Sequence, residues 1–170
     1  MDYVERAFDE AKYGWYSTRP YLDTCIQSVV DPDMAPPGQH VMSCFTQYTP
    51  YELKGSTWDA ERDHLGDNVQ ATIESFFPGF SDLVLQREVV TPLDIERVAG
   101  LTEGNIYHGE LFLPQMFSFR PAPGYADYRT PIAGYYQCGS GTHPGGCVTG
   151  APGKMAAQRI LGDRERAARG

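Results

Sequence analysis

The part of the sequence that decides the fold is Tyr135-Tyr136-Gln137-Cys138-Gly139-Ser140-Gly141-Thr142-His143-Pro144-Gly145-Gly146-Cys147-Val148-Thr149-Gly150-Ala151-Pro152-Gly153. We predict a short strand, a glycine-rich loop and a helix that begins at Ala151 or Pro152 and continues to Leu161, because proline suits the first turn of a helix. The N–H groups at a helix start attract negative charge, and glycines let a ligand approach the main chain. We therefore predict that this stretch forms one edge of a ligand-binding site.

The residue order from Cys138 to Gly153, C-G-S-G-T-H-P-G-G-C-V-T-G-A-P-G, resembles the C-terminal flavin-contacting segment of the phytoene-desaturase-like FAD oxidoreductases. The resemblance runs from about Val4 to Asp163 and includes V-V-D-P at 29–32, A-P-P-G at 35–38, G-N-I-Y-H-G-E at 104–110 and Y-R-T-P-I at 128–132. In that family the loop passes along the pyrophosphate and ribityl chain of FAD, and the next helix begins beneath the flavin ring. One departure is Cys147, which stands where the family leads us to expect a third glycine.

The resemblance implies that FAD is the cofactor of the full-length or reassembled enzyme and is held chiefly through main-chain N–H groups. The implied contact residues are Gly139, Ser140, Gly141, Val148, Thr149 and Gly150. The family also grips the FAD pyrophosphate with an N-terminal G-x-G-x-x-G on a strand-to-helix turn, and this chain has no such pattern. We therefore expect the C-terminal third of a larger enzyme, truncated or split, whose partner is the N-terminal FAD-binding portion of that enzyme.

The function implied by the resemblance is the transfer of hydride from a small apolar or amine-type substrate to flavin, with the isolated chain inactive. His108 and Glu110 lie in the run that the resemblance places near the flavin, and they are candidates for an acid–base pair. A polar turn that closes the cofactor cleft is the favoured interpretation, because flavin hydride transfer does not require such a pair. The alternative function is a non-catalytic fragment or subunit that binds a partner chain or an apolar ligand. A G-x-G-x-x-G in the neighbouring reading frame would favour the enzyme.

The rest of the chain predicts a mixed α/β fold. Apolar periodicity predicts helices over Asp2–Gly14 and Trp58–Phe76, and Thr91-Pro92-Leu93-Asp94 predicts the capped start of a short helix that ends at Gly100. Turn residues bound three predicted strands of one sheet, Tyr21–Val30, His40–Tyr48 and Leu83–Val90, which the longer helix backs. We predict that the first two strands form a hairpin whose connecting loop is elaborated. His40–Tyr48 has apolar side chains on both faces, which is typical of a covered strand.

The predicted domain organisation follows from the resemblance. Residues 1–130 are expected to form part of a mixed-sheet substrate-binding domain, and residues 131–163 the C-terminal strand, glycine-rich loop and helix of a Rossmann-like FAD domain. Residues 164–170 are expected to be a tail, whose basic side chains belong to the solvated end of the helix.

The composition excludes several classes of partner. A net charge of −8 and a pI near 4.9 argue against nucleic acid and against an anionic membrane surface. No apolar run has the length of a membrane span, so no integral membrane segment is expected. The four cysteines, at positions 25, 44, 138 and 147, follow no compact secreted framework. They predict reduced thiols in a cytoplasmic protein.

Three residues in the loop have side chains of the kind that bind metals, Cys138, His143 and Cys147. Their spacings match no zinc pattern, and a fourth ligand would have to come from a distant residue such as His108. We therefore expect no metal. A cysteine nucleophile activated by His143 is disfavoured, because no neighbouring carboxylate or amide would orient the imidazole.

Overall fold

The computed structural model describes residues 2–146 and 148–169 of the chain. Its regular elements are α1 Asp2–Lys12, β1 Tyr21–Cys25, β2 Ser43–Gln47, α2 Trp58–Phe76, α3 Phe80–Leu83, α4 Pro92–Ala99 and α5 Ala151–Ala167, with short 3-10 turns between them. The mixed α/β class is confirmed. The chain forms two compact units, one up to Ala99 and one from Gly100 onward. The predicted boundary at residue 130 concerns a larger enzyme and stays a prediction. No helix among the described residues is both long and apolar enough to cross a membrane.

The N-terminal helix and the hairpin of the first unit are confirmed, with shorter strands than predicted. β1 and β2 pair antiparallel, with Tyr21 opposite Gln47 and Cys25 opposite Ser43. Ser17 joins α1 to the end of β2, because its hydroxyl donates to the Ala7 carbonyl at 2.6 Å and accepts the Tyr48 N–H at 2.9 Å.

The long helix α2 is confirmed and carries the core of the first unit. Trp58 and Leu65 are buried with Tyr16. The half-buried residues packed against this cluster are Trp15, Leu53, Val69, Val89 and Leu93. Among the described residues, the cluster contains no strand residue. The apolar stripe of α2 is instead covered by loop segments and by α4, where a third strand was predicted.

The predicted third strand, Leu83–Val90, is wrong. Leu83 ends the short helix α3, and residues 84–90 run without a strand partner. The Glu74 carboxylate accepts the N–H groups of Gly79 at 2.6 Å and Ser81 at 2.7 Å, which fixes the turn after α2.

Residues 84–90, which follow α3, are attached to α2 by side-chain contacts. Arg87 forms an ion pair with Asp67 and hydrogen-bonds to the side chain of Gln70. A Cβ on Gly66 would lie 2.8 Å from Cγ2 of Val89, so only glycine lets the segment approach α2 this closely. These contacts hold the segment on the helix and away from the sheet.

The short helix α4 begins as predicted. The Asp94 N–H donates to the Thr91 hydroxyl at 3.2 Å, and the Thr91 N–H donates to the Asp94 carboxylate at 2.8 Å. This reciprocal pair satisfies two main-chain donors at the helix start. The other oxygen of Asp94 lies 2.6 Å from the Arg62 guanidinium, which joins α4 to α2.

In the second unit α5 begins at Ala151 with Pro152 in its first turn, as predicted, but it continues to Ala167. Arg164 and Arg166 therefore lie in its last turn, where positive charge is favourable. The short strand predicted before the loop is wrong. In its place the structure has an isolated bridge between Arg129 and Tyr136. The chain reverses between these two residues in a turn in which the Tyr135 N–H donates to the Ile132 carbonyl.

Candidate functional site

The glycine-rich loop has a defined, internally bonded shape. The buried Thr142 directs both its N–H, at 3.1 Å, and its hydroxyl, at 2.9 Å, to the Gly139 carbonyl. The Gly145 N–H donates to the Thr142 carbonyl at 2.7 Å. Gly139 has a φ of +96° and Gly145 a φ of +111°, which only glycine adopts without strain. The loop is therefore two consecutive turns around a buried threonine.

The buried side chain of Arg120 hydrogen-bonds to the main chain of this loop. The Arg120 guanidinium donates to the Ser140 carbonyl from Nε at 3.0 Å and from Nη2 at 2.8 Å. It also donates to the carbonyls of Gln115, at 3.3 Å, and of Tyr107. Only 3% of Arg120 is exposed. One side chain thus joins three main-chain segments of the second unit.

The carbonyl and the N–H of a trans peptide point in opposite directions. Because the Arg120 guanidinium binds the Ser140 carbonyl, the N–H of Gly141 in the same peptide unit points away from that guanidinium. The contact with Arg120 therefore sets the direction of the Gly141 main-chain donor.

Tyr128 joins the loop to α5. Its hydroxyl donates to the His143 carbonyl at 2.9 Å and lies 3.2 Å from the sulfur of Met155. Burial raises the pKa of the Tyr128 phenol. The hydroxyl therefore stays protonated and keeps donating at neutral pH.

Asp163, a residue of α5, forms a second set of contacts between this helix and the segment that contains Arg129 and Tyr136. Its carboxylate accepts two hydrogen bonds from Arg129, at 2.6 and 2.8 Å, and one from the Tyr136 hydroxyl at 2.9 Å. Arg166 also pairs with it. The hydrogen bonds from Arg129 hold the pKa of the Asp163 carboxyl far below its usual range, and in return raise the pKa of Arg129. Sequence reasoning missed this cluster, since Arg129 and Asp163 stand 34 positions apart.

The predicted cofactor-contact residues lie at the two ends of the loop. Gly139 is exposed, while Ser140 and Gly141 are half-buried. Val148, Thr149 and Gly150 are exposed, and the Thr149 hydroxyl accepts the Ala151 N–H at 3.2 Å. Cys147 lies outside the described residues. A Cβ built on Gly139, Gly150 or Gly153 would meet no atom of the described residues within 4 Å. The main chain there is open to another molecule.

His108 and Glu110 are exposed and line one pocket of about 480 Å³. The other lining residues are Thr102, Glu103, Asn105, Gly109 and Gln115. A Cβ on Gly141 would lie 3.8 Å from Cβ of His108, so the pocket lies beside the loop. The Glu110 N–H donates to the side chain of Gln115 at 2.8 Å. The structure thus places His108 next to one end of the loop and Glu110 in the same pocket.

Three of the four cysteines and the loop histidine lie among the described residues. Among residues 2–146 and 148–169, no group of three His, Cys, Asp or Glu side chains is placed to hold a metal ion. Cys25, Cys44 and Cys138 are free thiols, and burial raises the pKa of Cys44. Nδ1 of His143 is buried without a hydrogen-bond partner. The proposed ligand set also includes Cys147, which lies outside the described residues.

Comparison with known proteins defines the class. No family model matches the chain. It is 30% identical over 140 residues to one subunit of the limonene dehydrogenase of Castellaniella defragrans, a match that covers 79% of this chain and 25% of that protein. It is also 30% identical over 135 residues to a lycopene-forming phytoene desaturase of Pseudescherichia vulneris, covering 77% of this chain and 25% of the desaturase. The chain belongs to the phytoene-desaturase-like family of oxidoreductases.

The similarity is higher to one particular protein of this kind. The chain is 48% identical over 162 residues to pyridine nucleotide-disulfide oxidoreductase domain-containing protein 2 of Rattus norvegicus. That match covers 94% of this chain and 28% of the rat protein. The chain therefore spans little more than a quarter of the length of this relative.

Proposed function

We propose that this chain is the C-terminal part of an FAD-dependent oxidoreductase that transfers hydride from an apolar or amine-type substrate to flavin. The observation that carries the proposal is the open main chain of the loop at Gly139 and at Gly150, of which Gly150 directly precedes the start of α5. The names of the relatives support an oxidoreductase. FAD, when bound, would supply the hydride acceptor.

The residues present fit such a group. Gly139, Ser140 and Gly141 would hold it at one end of the loop and Val148, Thr149 and Gly150 at the other. Gly150 has a φ of +66° and no neighbour on its Cβ side, so a ligand can approach its backbone directly. The helix dipole of α5 favours negative charge at this point.

The remaining residues of the site act on the loop. Arg120 fixes the orientation of the Ser140–Gly141 peptide, and Tyr128 fixes the His143 carbonyl. His108 and Glu110 stand beside the loop in a polar pocket. Either they move a proton for the substrate or they form the polar wall that closes the cleft.

The test uses the chain reassembled with the N-terminal FAD-binding portion, and it compares Gly150→Val with Gly100→Val. The two glycines are matched, because their φ values are +66° and +67° and a Cβ on either meets nothing within 4 Å. Both variants therefore carry a similar backbone strain, which an equal loss of thermal stability would verify.

We expect Gly150→Val to weaken FAD retention at least about tenfold, a loss of roughly 1.4 kcal/mol, because the new side chain occupies the approach to the main chain. Gly100→Val should retain FAD normally. Flavin content after gel filtration and the flavin reduction potential are the readouts. Equal FAD content and equal potential in both variants would remove the loop from the cofactor site.

A further inference from the structure

The buried guanidinium of Arg120 carries a positive charge that pairs with no carboxylate of the described residues. The main-chain carbonyls around it accept its N–H groups but carry no net charge. The ion pairs of the second unit join other arginines to Asp127, Asp163 and Glu165, and among residues 2–146 and 148–169 none includes Arg120. Burying a charge is costly unless an opposite charge compensates it, so this site favours a ligand that brings negative charge.

The charge balance of the second unit points the same way. The unit from Gly100 onward contains 7 Lys and Arg against 5 Asp and Glu, a formal charge of +2, although the whole chain carries −8. All seven cations lie among the described residues, and only Arg120 is buried. Salt screens a buried charge much less than an exposed one. The field of Arg120 therefore acts on a ligand at the loop even at physiological ionic strength.

A ligand bound to the main chain of the loop lies close to this charge. Nη2 of Arg120 is 2.8 Å from the carbonyl oxygen of Ser140, and the same peptide unit contains the Gly141 N–H. That N–H has no acceptor among the described residues. Standard bond lengths place any acceptor that it takes within about 8.5 Å of the guanidinium. At this distance, the attraction between two opposite unit charges changes an affinity at least about tenfold.

We propose that Arg120 is a positioning residue for the phosphate groups of FAD, which it attracts by its charge and orients through the Ser140–Gly141 peptide. Its contacts with the Ser140 carbonyl fix the direction of the Gly141 donor. Its charge compensates the phosphates that this donor binds. The inference rests on the proposed function, in which FAD is the cofactor of the reassembled enzyme.

The experiment measures the affinity of the reassembled enzyme for FAD and for riboflavin, which has the same ring and ribityl chain but no phosphate. The quantity compared is the ratio of the two affinities. Partial unfolding of a variant lowers both affinities by the same fraction and so cancels in the ratio. A purely structural role of Arg120 would also weaken both ligands alike, whereas a role in phosphate binding changes the ratio.

Arg120→Met and Arg120→Gln should both lower the ratio of FAD affinity to riboflavin affinity at least about tenfold, because both remove the charge. Arg120→Lys keeps the charge, so its ratio should lie closer to that of the wild type than to that of Arg120→Met. The control is Arg129→Met, because the Arg129 charge is already paired with Asp127 and Asp163. Its ratio should equal that of the wild type.

Hydrogen exchange of the wild-type enzyme gives a second readout that needs no variant to fold. The amides of residues 139–141 should exchange more slowly with saturating FAD than with saturating riboflavin, because only FAD brings phosphate to these donors. Equal exchange with the two ligands, or a wild-type ratio in both neutral variants, would overturn the proposal.

This failure is distinguishable from a failure of the proposed function. An enzyme that binds FAD, and whose neutral variants keep the wild-type ratio, loses the role of Arg120 but keeps its cofactor. A reassembled wild-type enzyme that binds neither FAD nor riboflavin would contradict the proposed function, and this inference with it.

Discussion

Replacing Arg120 by methionine tests whether the loop depends on the support beneath it. Methionine keeps an unbranched apolar stem and removes the guanidinium. The Ser140 carbonyl would lose two hydrogen bonds, and the carbonyls of Gln115 and Tyr107 one each. A hydrogen bond to a charged group contributes about 1.5–3 kcal/mol, and a buried carbonyl left unpaired costs about 1–3 kcal/mol.

The loss is partly offset, because the variant no longer buries a charge. We therefore expect the free energy of unfolding of the second unit to fall by about 2–4 kcal/mol. Arg120→Lys should recover only part of it, since a single ammonium group lacks the planar geometry that reaches three carbonyls at once. The amides of residues 141–145 should exchange faster in both variants.

The assay is urea unfolding of the full chain, combined with hydrogen exchange of the loop amides. Arg169→Met is the control, because the Arg169 side chain is 80% exposed and lies 3.9 Å from Glu165. Its loss should stay within about 0.5 kcal/mol. If Arg120→Met is as stable as Arg169→Met and its loop exchanges at the wild-type rate, the support attributed to Arg120 is refuted.

Three further predictions concern the cap of α4, the acid sensitivity of the second unit and the isolated chain. Thr91→Ala should lower the free energy of unfolding by about 1–2 kcal/mol in urea, because Thr91 caps α4 together with Asp94. The pKa of Asp163 is depressed in the folded chain, so its stabilising effect is present above the unfolded value of about 4 and is lost as the pH falls below it. Asp163→Asn should therefore be less stable at neutral pH and lose less further stability on acidification, as followed by circular dichroism. The isolated chain should not quench flavin fluorescence or give a calorimetric signal with FAD, because a helix start and a few amides contribute roughly 1 kcal/mol each; tight one-to-one binding would contradict this.

The elements that the sequence predicted well are those with local signals. α1 and α2 carry apolar stripes, α4 carries its own cap in Thr91 and Asp94, and α5 begins at Ala151 with a proline in its first turn. Each of these signals lies within a few residues of the structure it specifies. The resemblance to the phytoene-desaturase-like family was likewise readable from the order of residues in the loop.

Tertiary contacts decided the rest. Leu83–Val90 has a strand-like pattern, but the segment is attached to α2. Arg87 forms an ion pair with Asp67, and the side chain of Val89 lies where a Cβ on Gly66 would be too close. The Arg120 and Asp163 clusters join residues 20 and 34 positions apart, for which no local spacing gives a signal. Local sequence signals were therefore sufficient for α1, α2, α4, the start of α5 and the hairpin, but not for α3 or for the last turns of α5. The orientation of the Ser140 peptide depends on tertiary contacts, because its carbonyl is bound by Arg120, a buried side chain 20 positions away.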